Sequence, residues 1–213
     1  MWLRPHLMEN AIGKISEKYE LSPRFIIGYD DAHGAGARVR YWLYGRWTPN
    51  LDDPDEDIRF EMNVLDFEAT KRFRTERADL IVAGGMRWAD MEIALGDEDV
   101  QGDMPGLTTA ADLRISLCRD CRREWAVVGG ARWSLLGGDW EGSGGFIDPI
   151  RDDNIVVQEL YTGVEYYCTY GDYDLFARLK YEMQNWHSDA IAQGAGTDSI
   201  GFLGPAFEFG LMF

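Results

Sequence analysis

Two short stretches hold the residue types that covalent or metal chemistry uses. Cys118 and Cys121 form a C-x-x-C inside "CRDCRR", and His187 precedes Ser188 just after "QNW". A redox-active C-x-x-C usually starts a helix, which lowers a thiol pKa; no helical pattern follows here. A zinc site needs two more ligands, and nothing marks them, since Cys168 stands alone. The pair reads as incidental, or as a simple disulfide in a short turn. His187 and Ser188 are the residue types of a lipid hydrolase, but neighbours on a strand point to opposite faces and cannot share the hydrogen bond such chemistry needs. His6 and His33 read as solvated turn or strand residues. The acidic runs "LDDPDED", "GDEDVQGD" and "DPIRDDN" offer oxygen ligands for divalent cations that bridge lipopolysaccharide phosphates. "DDPDED" lacks the spacing of a defined calcium loop, so solvated loops are the simpler reading. No catalytic residue, metal or cofactor is expected, and the chain reads as no enzyme.

Composition sets wider bounds. The chain has 213 residues, with 37 acids against 21 bases, a balance that argues against a nucleic-acid partner. Three cysteines are too few for a disulfide scaffold. No stretch approaches the roughly 20 apolar residues of a membrane helix, which says nothing about strands that cross a bilayer. The opening "MWLRPHLMENAIGK" has no apolar segment followed by a small-residue cleavage site.

Only residues 9–20 show a helical period. Ten period-2 runs recur instead, at about 2–8, 23–30, 36–47, 58–70, 78–94, 107–117, 124–137, 155–169, 173–186 and 199–213. Most reach the roughly 9–11 residues that a tilted strand needs to cross a bilayer. Four connections are short ("DDAHGAG", "KRFRTER", "CRDCRR" and "YGDY"), and they alternate with long ones at 9–22, 48–57, 95–106, 138–154 and 187–198. Outer-membrane barrels have short turns at one rim and long loops at the other. Charge follows the division. Three of the five long loops are acidic ("LDDPDED", "GDEDVQGD" and, mostly, "DPIRDDN"), while two short turns carry Lys71, Arg72, Arg74 and Arg77, then Arg119, Arg122 and Arg123.

The alternation separates two faces. In "YDLFARLKYEMQNW", Leu175, Ala177, Leu179, Tyr181 and Met183 oppose Phe176, Arg178, Lys180, Glu182 and Gln184. Across all runs the polar face collects Arg38, Arg40, Arg87, Arg114, Arg132, Arg178 and Lys180 with Asp66, Glu68, Glu159, Glu165, Glu182 and Glu208. Both signs of charge and several glycines suit a crowded interior. These thirteen residues are therefore expected inside, lining a narrow, ion-paired lumen, with the apolar face turned out. Trp47, Trp88, Trp125, Trp140 and Trp186 near strand ends would form interfacial girdles. A phase change near Val64 in "IRFEMNVLDFEAT" suggests a β-bulge. A soluble barrel or sandwich binding a hydrophobic ligand would alternate too, but with Leu160, Leu175 and Leu179 buried.

Residues 155–213 carry Gly163-Val164-Glu165-Tyr166, then Glu182 to Trp186 as Glu-x-Gln-Asn-Trp, then Gly201 to Pro205 before a last strand ending in Phe213. This region resembles the Legionella-type pore-forming major outer membrane protein family. "GARVRYW", "LDFEATKRF", "GGMRWAD" and "GARWSLLGGD" are similar to its earlier strands, so the resemblance covers nearly the whole chain. It implies an outer-membrane β-barrel of a Gram-negative bacterium, surrounded by outer-membrane lipids and lipopolysaccharide. It also implies that the final strand, with Phe209, Leu211 and Phe213, is read by the barrel-assembly machinery. Family members begin with a secretory signal and a complete first strand; Met1-Trp2-Leu3-Arg4 reads as a start inside that strand.

The expectation is one all-β domain over residues 1–213, an antiparallel up-and-down transmembrane barrel of about ten strands (8–12). Its role would be structural, or that of a narrow pore, since wide aqueous channels need roughly 16 strands or more.

Overall fold

The computed structural model describes residues 1–7, 20–49, 57–95, 98–119, 122–142, 150–171, 173–188 and 199–212. Every regular element among them is a strand, as a sequence without a sustained 3.6-residue stripe requires. In chain order they are β1 (Trp2–Leu7), β2 (Glu20–Leu21), β3 (Arg24–Asp30), β4 (Ala35–Pro49), β5 (Asp57–Arg74) and β6 (Ala78–Leu95). There follow β7 (Glu98–Arg119), β8 (Arg123–Gly142), β9 (Ile150–Tyr170), β10 (Tyr173–His187) and β11 (Ser199–Met212). All ten expected runs are strands. The expected helical stretch at 9–20 lies, apart from Glu20, outside the described residues, as do Cys121, Phe213 and most of "LDDPDED".

Strands β3 to β11 form one antiparallel up-and-down sheet in which each pairs with its chain neighbours. The sheet curls until inward side chains of distant strands touch. Trp42 on β4 lies against Trp186 on β10 and Phe202 on β11, with ring centroids 6.5 and 5.9 Å apart. Short turns close one rim. At the β3–β4 turn, Asp31 Oδ1 accepts the N–H groups of His33 and Ala35, each at 2.8 Å, and Gly34 takes φ 76°. That left-handed conformation is open to glycine at no steric cost.

At the other rim the strands run further than expected. The sequence suggests a loop at 95–106, but β6 and β7 stay paired out to Leu95 and Glu98. Likewise β8 continues to Gly142 and β9 starts at Ile150, inside the expected loop at 138–154. The acidic runs there are largely strand, because their acids alternate with Val100, Gly102 and Met104.

The sheet curls into a half-barrel and not the expected complete cylinder; only at this long-strand rim does a further strand bridge toward its other end. There β1 pairs with β11 from Arg4 opposite Leu203 to Leu7 opposite Ile200, and with β2 through Trp2 opposite Leu21. Only Ser22 and Pro23 separate β2 from β3, so the two ends of the sheet are successive pieces of one segment. Ser22 is fully buried; its N–H donates to the Met1 carbonyl (2.6 Å) and its hydroxyl to the Leu43 carbonyl (2.6 Å). Toward the short-turn rim, β3 pairs only with β4, and Gly204–Met212 of β11 pairs only with β10.

No bulge occurs near Val64. The β4–β5 and β5–β6 ladders pass through it without a shift. The irregularities fall between Ser116 and Cys118 and between Gly138 and Trp140.

Candidate functional site

β5 shows how the interior is organised. Phe60, Met62 and Val64 point inward while Glu61 and Asn63 point outward; beyond them Asp66 and Glu68 point inward while Leu65 and Phe67 point outward. Side chains alternate strictly along a strand, so the chemistry of the two faces is exchanged while the register is kept. β6 does the same at the same level. Ala89 and Met91 are inward with Asp90 and Glu92 outward, and then Arg87 is inward between Met86 and Trp88 outward. β7 follows, with Val100 and Met104 inward against Asp99, Gln101 and Asp103. Its continuation has Thr108, Asp112 and Arg114 inward against Leu107, Leu113 and Ile115.

The long-strand half therefore has a conventional core. Trp42, Tyr44, Met62, Met91, Val100, Met104, Leu136, Trp140, Ile155, Trp186, Ile200 and Phe202 form a buried apolar plug. Several of its rings meet edge-on, as aromatic quadrupoles favour, among them Tyr44 and Phe202, with centroids 4.9 Å apart at 65°. Polar contacts rivet it at two places, Trp42 Nε1 donating to Ser22 Oγ at one of them and Asp153 at the other. Asp153 accepts hydrogen bonds from Trp140 Nε1 (2.9 Å) and Ser188 Oγ (2.5 Å). Two of the girdle tryptophans expected from the sequence, Trp140 and Trp186, are thus interior; Trp88 and Trp125 do face outward. A large ring beside polar residues reads alike as girdle or core, because sequence gives the face only once the register is known.

Below the plug, all thirteen charged residues singled out from the sequence lie inside and all make ion pairs. At the centre Arg87 grips Asp66 with two hydrogen bonds (2.6 and 3.0 Å) and reaches across to Glu159 (2.5 Å). Arg40 and Arg132 complete the charge around the same two carboxylates. Glu68 is held between Arg132 and Arg38. Nearer the short-turn rim, Glu165 sits between Arg114 and Arg178. Glu208 takes Arg178 (3.1 Å) and Lys180 (2.7 Å), and Lys180 also holds Glu182 (2.9 Å). Burying one such ion costs several kcal/mol unless it is paired and hydrogen-bonded; the network pairs every one of them, while Arg38 Nη2 and Arg87 Nη1 are buried without a hydrogen-bond partner.

Further interior partners join the thirteen: Asp112 and Tyr161, from the polar faces of their strands, and Arg24 and Glu124, which the alternating runs quoted above leave unmarked. Arg24 donates to Glu182 (3.0 Å), Asp112 accepts from Arg38 (2.8 Å), and Tyr161 OH donates to Asp112 (2.9 Å). The parity of Phe25 and Ile27 gives Arg24 away: two outward apolar residues leave it facing in. Glu124 joins them through Arg114 (2.8 Å).

A cavity of about 510 Å³ runs through the network to the short-turn rim, bordered by Arg40, Glu159 and Glu182 at one end and by Arg72, Arg77 and Asp79 at the other. Phe209 and Leu211 point outward on β11, with Phe209 80% exposed. Leu160, Leu175 and Leu179, which a soluble ligand-binding barrel would bury, are 44%, 41% and 57% exposed. His187 is exposed and Ser188 is buried against Asp153, so the two do not meet. Cys118 is exposed and Cys168 half-buried, with no disulfide between them. Among the described residues, no three His, Cys, Asp or Glu side chains converge as a metal site requires.

Set against known proteins, the chain matches no family model and no curated sequence.

Proposed function

We propose that this chain is a non-enzymatic outer-membrane β-barrel protein of a Gram-negative envelope, with a structural role and a sealed interior. The observation that carries the reading is the exchange of faces at one level around the sheet. Apolar side chains turned outward over a charged interior are stable where the surroundings are hydrocarbon; the same strands a few residues on, with acids outward over an apolar plug, suit water. The height agrees. On β8 the outward apolar run goes from Trp125 to Leu135, about 33 Å along the strand and so roughly 25 Å at the usual tilt. Transmembrane barrels carry an apolar band of about that height, flanked by aromatics; here Trp125 starts the run and Trp133 lies one outward position from its other end.

The resemblance of residues 155–213 to the Legionella-type family points the same way. Phe209 and Leu211, on the outward face of the last strand, would be offered to the assembly machinery. The acidic collar above the band would meet lipopolysaccharide, with divalent cations between the two sets of anions. The family's pore-forming label does not carry over, because the apolar plug would block passage.

Refolding into detergent micelles tests the reading. A β-rich protein whose gel mobility changes on heating, and which adds no conductance steps to a planar bilayer, is expected. A monomer that folds and stays soluble in plain buffer would overturn the membrane assignment, and discrete conductance steps would overturn the seal.

A further inference from the structure

Each cation of the interior network has a carboxylate beside it; at the short-turn rim the reverse holds. Lys71, Arg77, Arg122 and Arg123 are exposed and make no ion pair with any described residue. Lys71 Nζ donates to the His33 carbonyl (2.9 Å), which leaves its charge unopposed. Arg74 reaches Asp79 (3.3 Å) but keeps 67% of its side chain exposed. With a net charge of −16 the chain has carboxylates to spare, yet the four unpaired cations all stand at one rim.

Their placement is patterned. On β5, Lys71 faces outward between Ala69 and Phe73; on β8, Arg123 faces outward one position beyond Trp125. Trp125 packs on Tyr166 of β9, with ring centroids 5.0 Å apart. Cations and aromatics thus mingle where the outward apolar band ends. At the other end of the same band the outward positions carry Asp90, Glu92, Asp99 and Asp103.

We propose that the short-turn rim is a docking surface for the headgroups of acidic phospholipids. The assignment rests on the membrane reading above and names what that side of the protein meets. A Lys or Arg at the edge of an apolar band lays its stem along acyl chains and sets its charge at the level of the phosphates. Guanidinium forks match phosphate oxygens, and each cation near an anionic bilayer surface strengthens the attraction about fivefold. The two rims therefore select different neighbours. The carboxylates of the long-strand rim repel an acidic headgroup unless a divalent cation intervenes, whereas the short-turn rim holds it directly.

The test uses the full chain with Cys118, Cys121 and Cys168 replaced by Ser, refolded into phosphatidylcholine vesicles. One fluorophore is attached at Phe73→Cys, by the short turns, or at Asn185→Cys, in the collar. A small fraction of the lipid is spin-labelled phosphatidylglycerol or, in matched vesicles, spin-labelled phosphatidylcholine. At Phe73→Cys the phosphatidylglycerol should quench at least about threefold more strongly than the phosphatidylcholine; at Asn185→Cys it should quench no more strongly. Lys71→Gln, Arg74→Gln and Arg123→Gln combined, or high salt, should bring the first ratio close to one, and Arg59→Gln, at the other rim, should leave it unchanged. Equal ratios at the two labels, or a ratio at Phe73→Cys that survives loss of the three cations, would overturn the proposal while the protein is still inserted. Absence of quenching by either lipid at Phe73→Cys would overturn the membrane reading, and the proposal with it.

Discussion

The two halves of this sheet are built from the same strands and obey opposite rules. In the long-strand half, Met62, Met91 and Trp186 are inside and Glu61, Asp90 and Asn185 are outside. In the short-turn half, Asp66, Arg87 and Glu159 are inside and Phe67, Met86 and Leu160 are outside. Backbone pairing runs through the boundary without a break, so the strand geometry is indifferent to which face is apolar. The surroundings decide. The lesson is that "inside" and "apolar" are separate variables, and one strand can couple them with either sign.

Substitutions that trade one half's rule for the other's give the largest effects. Trp186→Ala, in the plug, should cost about 3–5 kcal/mol by loss of burial and creation of a cavity, measured by urea unfolding in micelles. Arg87→Met strands Asp66 and Glu159 with less opposing charge and should cost about 3–5 kcal/mol; the double variant with Glu159→Gln should recover part of this. If Arg87→Met is neutral, the network is not holding charge in a dry interior. Leu179→Arg, outward within the apolar band, should cost roughly 2–4 kcal/mol in a lipid bilayer. Asn185→Arg, six residues on and outward in the collar, should cost about 0–1 kcal/mol. Equal costs at these two positions would erase the boundary. Ser188→Ala should lose about 1 kcal/mol, one hydrogen bond of the Asp153 rivet, and leave gel mobility unchanged.

Much of this was legible in the sequence. The ten alternating runs became strands in the expected order, and Arg38, Glu68, Arg178 and Glu208 landed on the expected face with opposite charges beside them. What misled was the assumption of a single inside chemistry. Under it, the change at Val64 had to be a slipped register and Trp186 had to face out. "DEDVQGDM" looked like a loop because its outward positions are acidic, although its inward positions, Val100 and Met104, carry the strand signal plainly. Closure was the least legible feature. Which edges of a sheet meet, and over what length, depends on long-range register that no local pattern encodes.

The β6–β7 hairpin, paired out to Leu95 and Glu98, changes what the far end presents to any visitor. A floppy acidic loop would mould itself to a binder and lose entropy in doing so. A twisted ribbon holding Asp90, Glu92, Asp99 and Asp103 at fixed spacings offers a stiff, pre-ordered row of carboxylates. Antibodies raised against a linear peptide from this region would miss it; those raised against the folded protein would grip it hard.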